Sequence, residues 1–170
     1  LVKVMAFNNI SGNAKGAKIL REAEFKIREA LFGEDRQEYN KGELLMMTSN
    51  FAMGEKGTLE NSAELVVISS TPTTQSVPLP NGSEEELKAF SLEVKDTNSG
   101  KEYSISVIAE ESKARHKQIY ESWGVAAKKN RNLWSTFWTV KEKIFAPVNY
   151  SYIITTHKAQ GSTYDVAVVL

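Results

Sequence analysis

With 170 residues the chain can bury a sizeable core, in one domain or in two small ones, and 21 basic against 21 acidic side chains leave it formally neutral. The absence of cysteine excludes disulfides and thiolate metal sites, and two histidines with no carboxylate cluster beside them in sequence argue against a histidine-based metal centre, so no metal site is expected. No apolar run reaches the length of about eighteen residues needed to span a membrane, and no basic-then-apolar leader is seen, so a cytoplasmic protein with no membrane partner is expected.

Taken in order, Val2 to Phe7 has the alternation and β-branched content of a short strand, and Asn8 to Gly12 supplies turn residues. From Ala14 to Phe32, apolar positions at Ala17, Leu20, Ala23, Ile27 and Leu31 recur at three to four residues and predict a helix that stops at Gly33. This strand-turn-helix start is of the α/β kind. Short β-rich runs follow at Leu44–Thr48, Ala63–Ser69, Phe90–Lys95 and Tyr103–Ile108, with Asn98-Ser99-Gly100 as a hairpin turn. They predict a small antiparallel barrel or sandwich. The proline-bearing stretch Ser70 to Glu86, ending in Glu84-Glu85-Glu86, reads as a solvated loop.

The helical period returns at Glu110. Ile119, Trp123, Leu133, Trp134, Phe137, Trp138, Val140 and Ile144 describe two helices broken near Gly124 or Asn130, the second ended by Pro147. Trp134 and Trp138 share the spacing of Leu133, Phe137 and Val140, so core packing is expected of them; the competing reading is a base-stacking platform beside Lys128, Lys129 and Arg131. His116 has no partner in sequence and is expected to be exposed. Tyr150 to Thr155 is again strand-like, and Val166 to Leu170 suits a parallel strand buried on both faces.

Charge is segregated along this order. Residues 1–33 carry net +3, 34–111 net −9, 112–145 net +6 and 146–170 zero. An acidic module interrupting a more basic frame fits that alternation, and a local basic face can hold a polyanion in a neutral protein. Between the last two strand-like runs lies Thr155-Thr156-His157-Lys158-Ala159-Gln160-Gly161-Ser162-Thr163-Tyr164-Asp165. At the carboxyl end of a parallel strand such hydroxyls, an imidazole and a glycine suit gripping a phosphodiester better than cleaving one.

The stretch Tyr152 to Asp165 resembles the T-x-H-K-x-Q-G-S-T/E motif of superfamily 1 DNA helicases of the RecD and Dda type. Val4-Met5-Ala6-Phe7-Asn8-Asn9 is similar to the "AxxN" turn after the first strand of their second motor domain, Ile27-Arg28 to their "IR" pair, and Lys41 to Met46 to the "GD-x-V-M" start of their inserted SH3-like barrel. The resemblance implies a partial RecA-like parallel sheet, residues 1–37 and 111–170, interrupted by an SH3-like β-barrel at 38–110. It implies that Thr155, Thr156, His157 and Lys158 face single-stranded DNA, while Gln160, Gly161, Ser162 and Thr163 line an ATP cleft. Arg28 would either reach the γ-phosphate or hold helix-to-barrel packing.

Two departures limit that reading. No G-x-x-x-x-G-K-[S/T] string occurs, Gly12 to Ile19 having the wrong spacing, and the turn where the family carries Asn-Gly reads Asn61-Ser62-Ala63. The expectation is the carboxy-terminal part of an ATP-dependent DNA helicase, with no complete catalytic set of its own. ATP and Mg2+ would serve the intact parent, none would be bound by this piece, and the first motor domain would be supplied by the same protein. The alternative is a non-enzymatic docking module, its barrel recruiting a nuclease subunit or a single-strand-binding protein through Phe51, Phe90 and Tyr103. The first reading also covers relatives that act in recombination and DNA repair as part of exodeoxyribonuclease V.

Overall fold

The computed structural model describes residues 2–6, 14–155 and 166–169, with side chains for 18–153. The chain divides into two units, Leu1–Asn40 with Tyr150–Leu170, and Lys41–Asn149. In the first, β1 (Val2–Ala6) is the central strand of a three-stranded sheet, flanked by β10 (Val166–Val169) and β9 (Ile153–Thr155), and both pairings are parallel. Helix α1 (Ala14–Phe32) ends as expected at Gly33, whose φ of 84° lets its N–H turn back to Glu29 O at 2.8 Å. Ile19, Phe25 and Leu31 on α1 are exposed.

The second unit is built on a five-stranded sheet, β7-β6-β5-β2-β8, made of β2 (Leu44–Met47), β5 (Glu64–Pro78), β6 (Glu84–Asp96), β7 (Glu102–Ile108) and β8 (Val148–Tyr150). A separate pair, β3 (Phe51–Ala52) with β4 (Thr58–Leu59), closes around the short turn Gly54–Lys56. The chain joins the sheet at Gly42, whose N–H donates to Val67 O, while Glu43 O accepts from Val67 N–H. The tight turn after β6 is the one the sequence predicts. Asp96 accepts from the backbone N–H groups of Asn98 and Ser99 and from the Ser99 hydroxyl, and Gly100 N–H returns to Asp96 O.

Ser70 to Glu86 is not a loop. β5 and β6 pair without interruption from Ser69↔Glu93 to Pro78↔Glu84, and the reversal is confined to Leu79–Ser83. Pro72 is tolerated because β2 covers β5 only at Glu64 to Val66, so the outer half of β5 has an open edge where a missing N–H costs no ladder bond. Glu84 to Glu86 lie in β6, and Glu85 accepts two bonds from Arg115 at 2.7 and 2.8 Å.

The hairpin buries opposite faces in its two halves. Leu92 and Val94 are buried in the inner half of β6, facing the same way as their β7 partners Ile105 and Tyr103. Leu87 and Ala89, one residue out of that alternation, are buried in the outer half with Val77 of β5. On β5 the register slips between Val67 and Ser69, opposite Val94 and Glu93 of the inner half, whereas the buried face of β6 changes over further out, between Ala89 and Leu92.

The outer face is covered by α2 (Glu110–Lys129) and α3 (Trp134–Glu142), so these helices belong to the second unit and the division falls at residue 149 instead of 110. Ile119, Trp123, Val140 and Phe145 pack with Val77, Leu87 and Ala89 in one core cluster. Burying a side chain of the Val, Leu or Ile class is worth about 1.5–3 kcal/mol. Helical period showed that these helices bury a stripe; it could not show against which strand. Trp123 donates its indole N–H to Pro78 O at 2.8 Å, fixing the end of the hairpin to α2. The helices break at Asn130, whose side chain accepts from Asn132 N–H, while Gly124 stays inside α2 under the Phe137 ring. α3 ends at Glu142, ahead of Pro147, whose carbonyl instead accepts from Thr48.

His116 is half-buried, contrary to the expectation of exposure. Its Nε2–H donates to Val140 O at 2.7 Å, joining α2 to α3, and its ring meets Tyr120 and Phe145 edge-on. Burial holds its pKa below the ordinary histidine value, and the Val140 carbonyl opposes this only in part. On acidification through about pH 6.5, the unfolded chain therefore binds a proton that the folded one resists, and stability falls from there toward the lowered folded value. In His116→Gln the fall in Tm between about pH 7.5 and 5.5 should be shallower than in the parent, and equal slopes would remove His116 from this account. At the departure Asn61-Ser62-Ala63, Ser62 takes a left-handed φ of 69°. Ser62→Gly should raise stability by about 0.5–1 kcal/mol in urea unfolding, the relief of a strained non-glycine residue exceeding the added chain entropy.

Candidate nucleic-acid interface

Of the residues expected to hold DNA, Thr155 is described in its backbone. It ends β9 at the carboxyl edge of the parallel sheet, opposite Ala6 of β1. Tyr150 to Thr155 is two strands instead of one, with Ser151 and Tyr152 between them. Thr156, His157 and Lys158, and the nucleotide set Gln160, Gly161, Ser162 and Thr163, lie outside the described residues, so the motif is followed to its first residue only.

Arg28 is described in full. Its Nη2 donates to Glu38 O at 2.7 Å and to Gln37 O at 3.1 Å, and its guanidinium carbon lies 3.8 Å from the centre of the Tyr150 ring. Tyr150 in turn donates its hydroxyl to Glu38 O at 2.6 Å and stands 5.9 Å, ring to ring, from the buried Tyr39. Glu38 and Tyr39 precede the point where the chain leaves the first unit, and Tyr150 is where it returns. Arg28 therefore ties both crossings to α1. Sequence reading had no signal for Tyr150 or Glu38, since the Glu38 carbonyl is a main-chain acceptor that every residue carries.

The charged groups of the second unit sort into paired and unpaired sets. The Arg115 side-chain bond lowers the Glu85 pKa, and Glu85 raises that of Arg115. Lys88 pairs with Glu111, Lys113 with Glu110 and Lys117 with Glu121. By contrast Lys128, Lys129, Arg131 and Lys143 are exposed and have no acidic partner among the described residues. Of the expected aromatic groove, Phe51 and Tyr103 are buried and Phe90 is partly so; these three cannot form an open peptide-binding face. Among the described residues no group of three or more His, Asp or Glu is placed to hold a metal ion. No described helix is long and apolar enough to cross a membrane.

A five-stranded sheet with a long hairpin, entered at Gly42 and left at β8, is the unit that comparison with known families recognises: residues 39–149 match the family described as the Dda helicase SH3 domain. The chain belongs to that family. The match runs through α2 and α3 and stops where the second unit does, so in this Dda-type SH3 domain the two helices are part of the insert. Comparison with curated proteins returns no match. The domain marks the chain as helicase-associated.

Removing the clamp of Arg28 and Tyr150 on Glu38 has a defined expectation. Arg28→Ala should cost about 2 kcal/mol in urea unfolding, since charge-assisted bonds to two carbonyls are lost, and Tyr150→Phe about 1 kcal/mol. Arg28→Lys should recover less than half, a point charge being unable to bridge two carbonyls and a ring together. An unchanged midpoint for Arg28→Ala would show that the clamp contributes nothing.

Proposed function

We propose that the chain is the carboxy-terminal part of an ATP-dependent DNA helicase of the RecD and Dda type, in which a second, RecA-like motor domain carries the SH3 domain as an insert. The observation that carries this reading is the pairing of the family match at 39–149 with a parallel β10-β1-β9 sheet built from the flanking segments, whose strand β9 leads directly into the T-x-H-K-x-Q-G-S motif. The exposed Ile19, Phe25 and Leu31 of α1 also favour a place in a larger motor domain.

In this reading Thr155, Thr156, His157 and Lys158 grip the backbone of single-stranded DNA, and Gln160, Gly161, Ser162 and Thr163 face ATP held chiefly by the first motor domain. Arg28 is left to the clamp, because its guanidinium is already committed there. Closure on nucleotide would then move a segment that is also attached to the track. The chain alone is expected to turn over no ATP in a coupled assay, for it carries no G-x-x-x-x-G-K-[S/T] string. Cellular role, in recombination and repair or otherwise, follows the parent protein.

The test is fluorescence anisotropy with a labelled oligothymidylate. The parent chain should bind weakly and more weakly with added salt, and Thr156→Ala with His157→Ala should reduce affinity about tenfold, the loss of roughly one charge-assisted contact. Equal affinities would remove the motif from the DNA interface.

A further inference from the structure

The tryptophans of α3 do not behave as the core residues their spacing predicts. Trp134, Trp138 and Lys141 fall on one stripe of the helix, while Phe137 and Val140 face α2. Trp138 is 44% exposed and Trp134 half-buried, whereas Trp123 is enclosed. The exposed indole is nonetheless held in place. Phe137 meets Trp138 edge-on at 4.9 Å and Trp134 at 5.2 Å, and is itself seated against Gly124, where an added Cβ would stand 3.4 Å from its ring. Tyr120 and His116 continue this aromatic chain inward to the buried Phe145. The Lys141 ammonium lies 4.8 Å from the Trp138 ring centre. Next in the chain before this stripe come Lys128, Lys129 and Arg131, which have no acidic partner among the described residues.

We propose that Trp138, supported by Trp134 and Lys141 and acting with Lys128, Lys129 and Arg131 of the preceding segment, is a second single-stranded nucleic-acid contact, carried by the SH3 domain itself. Three features select that occupant. A rigid exposed indole offers a face to any unstacked base at little entropic cost, and such stacking tolerates any sequence. Lys128, Lys129 and Arg131, a few residues earlier in the chain and without an acidic partner among the described residues, match a phosphate backbone and would repel a basic partner. Lys141 at the ring also lies 3.7 Å from Glu142. Lysines in the last turn of α2 also complement the helix dipole, but that role needs neither Arg131 nor an exposed tryptophan. The choice of polyanion rests on the helicase reading; the choice of surface does not.

The test uses the whole chain with a short labelled oligothymidylate, read by anisotropy and by tryptophan fluorescence. Binding should quench the fluorescence, because Trp134 and Trp138 lie near the surface. Trp138→Ala should lose most of the quench and about tenfold in affinity, with Trp138→Phe in between. Lys128→Ala with Lys129→Ala should make log affinity less steep in log salt by about one to two. Trp138 is exposed, so an unchanged thermal melt is expected and excludes unfolding as the cause. Parent-like affinity and quench in Trp138→Ala would overturn the proposal and leave the motif reading intact. Loss of affinity in Trp138→Ala but not in the Thr156→Ala, His157→Ala variant would support this surface and refute the motif. A parent chain that binds no oligonucleotide would overturn both.

Discussion

The architecture of the SH3 domain depends on one change of phase in a β-strand. Along β6 the buried positions run Leu87, Ala89, then Leu92, Val94, so that the inner half of the long hairpin buries the face it shares with Tyr103 and Ile105 of β7, while the outer half turns the opposite face toward two helices. A strand keeping strict alternation through thirteen residues would leave one of these faces bare. Every other feature of the outer half follows: α2 and α3 have a surface to cover, Trp123 has a carbonyl at Pro78 to reach, and Arg115 has a carboxylate at Glu85.

How much of this was legible in the sequence varied with the signal each segment carries. Helix α1 and its stop at Gly33, the turn at Asn98 to Gly100 and the strands around Val67, Val94 and Ile105 were read correctly, because period and turn chemistry are local. The outer hairpin was not, since Thr71-Pro72-Thr73-Thr74 has no alternation to read and proline ordinarily argues against a strand; only the open edge of β5 reconciles the two. His116 was misread because no partner stands near it in sequence. Its position three residues before Ile119 and seven before Trp123 does put it on the buried stripe of α2, a signal that was present. Trp138 shows the converse error, for helical spacing marks a face without saying how far round the partner extends.

Of the candidate site, the motif itself was legible as a string, while the placement of Arg28 was not. Its two carbonyl acceptors and its ring are main-chain and aromatic groups up to 122 positions away, with nothing in composition to single them out. The family match covers 39–149, and the parallel strands lie in the segments on either side of it.

The bond from Tyr150 to Glu38 has an implication for how such proteins arise. Because the outgoing and returning backbones are within one hydroxyl's reach of each other, 2.6 Å at that bond, everything between them is a detachable cassette: a gene could gain, lose or exchange it with little more than a short turn to repair. Diversification of this kind would proceed by trading whole accessories at a fixed socket, with Arg28 as the part of the host that the socket retains.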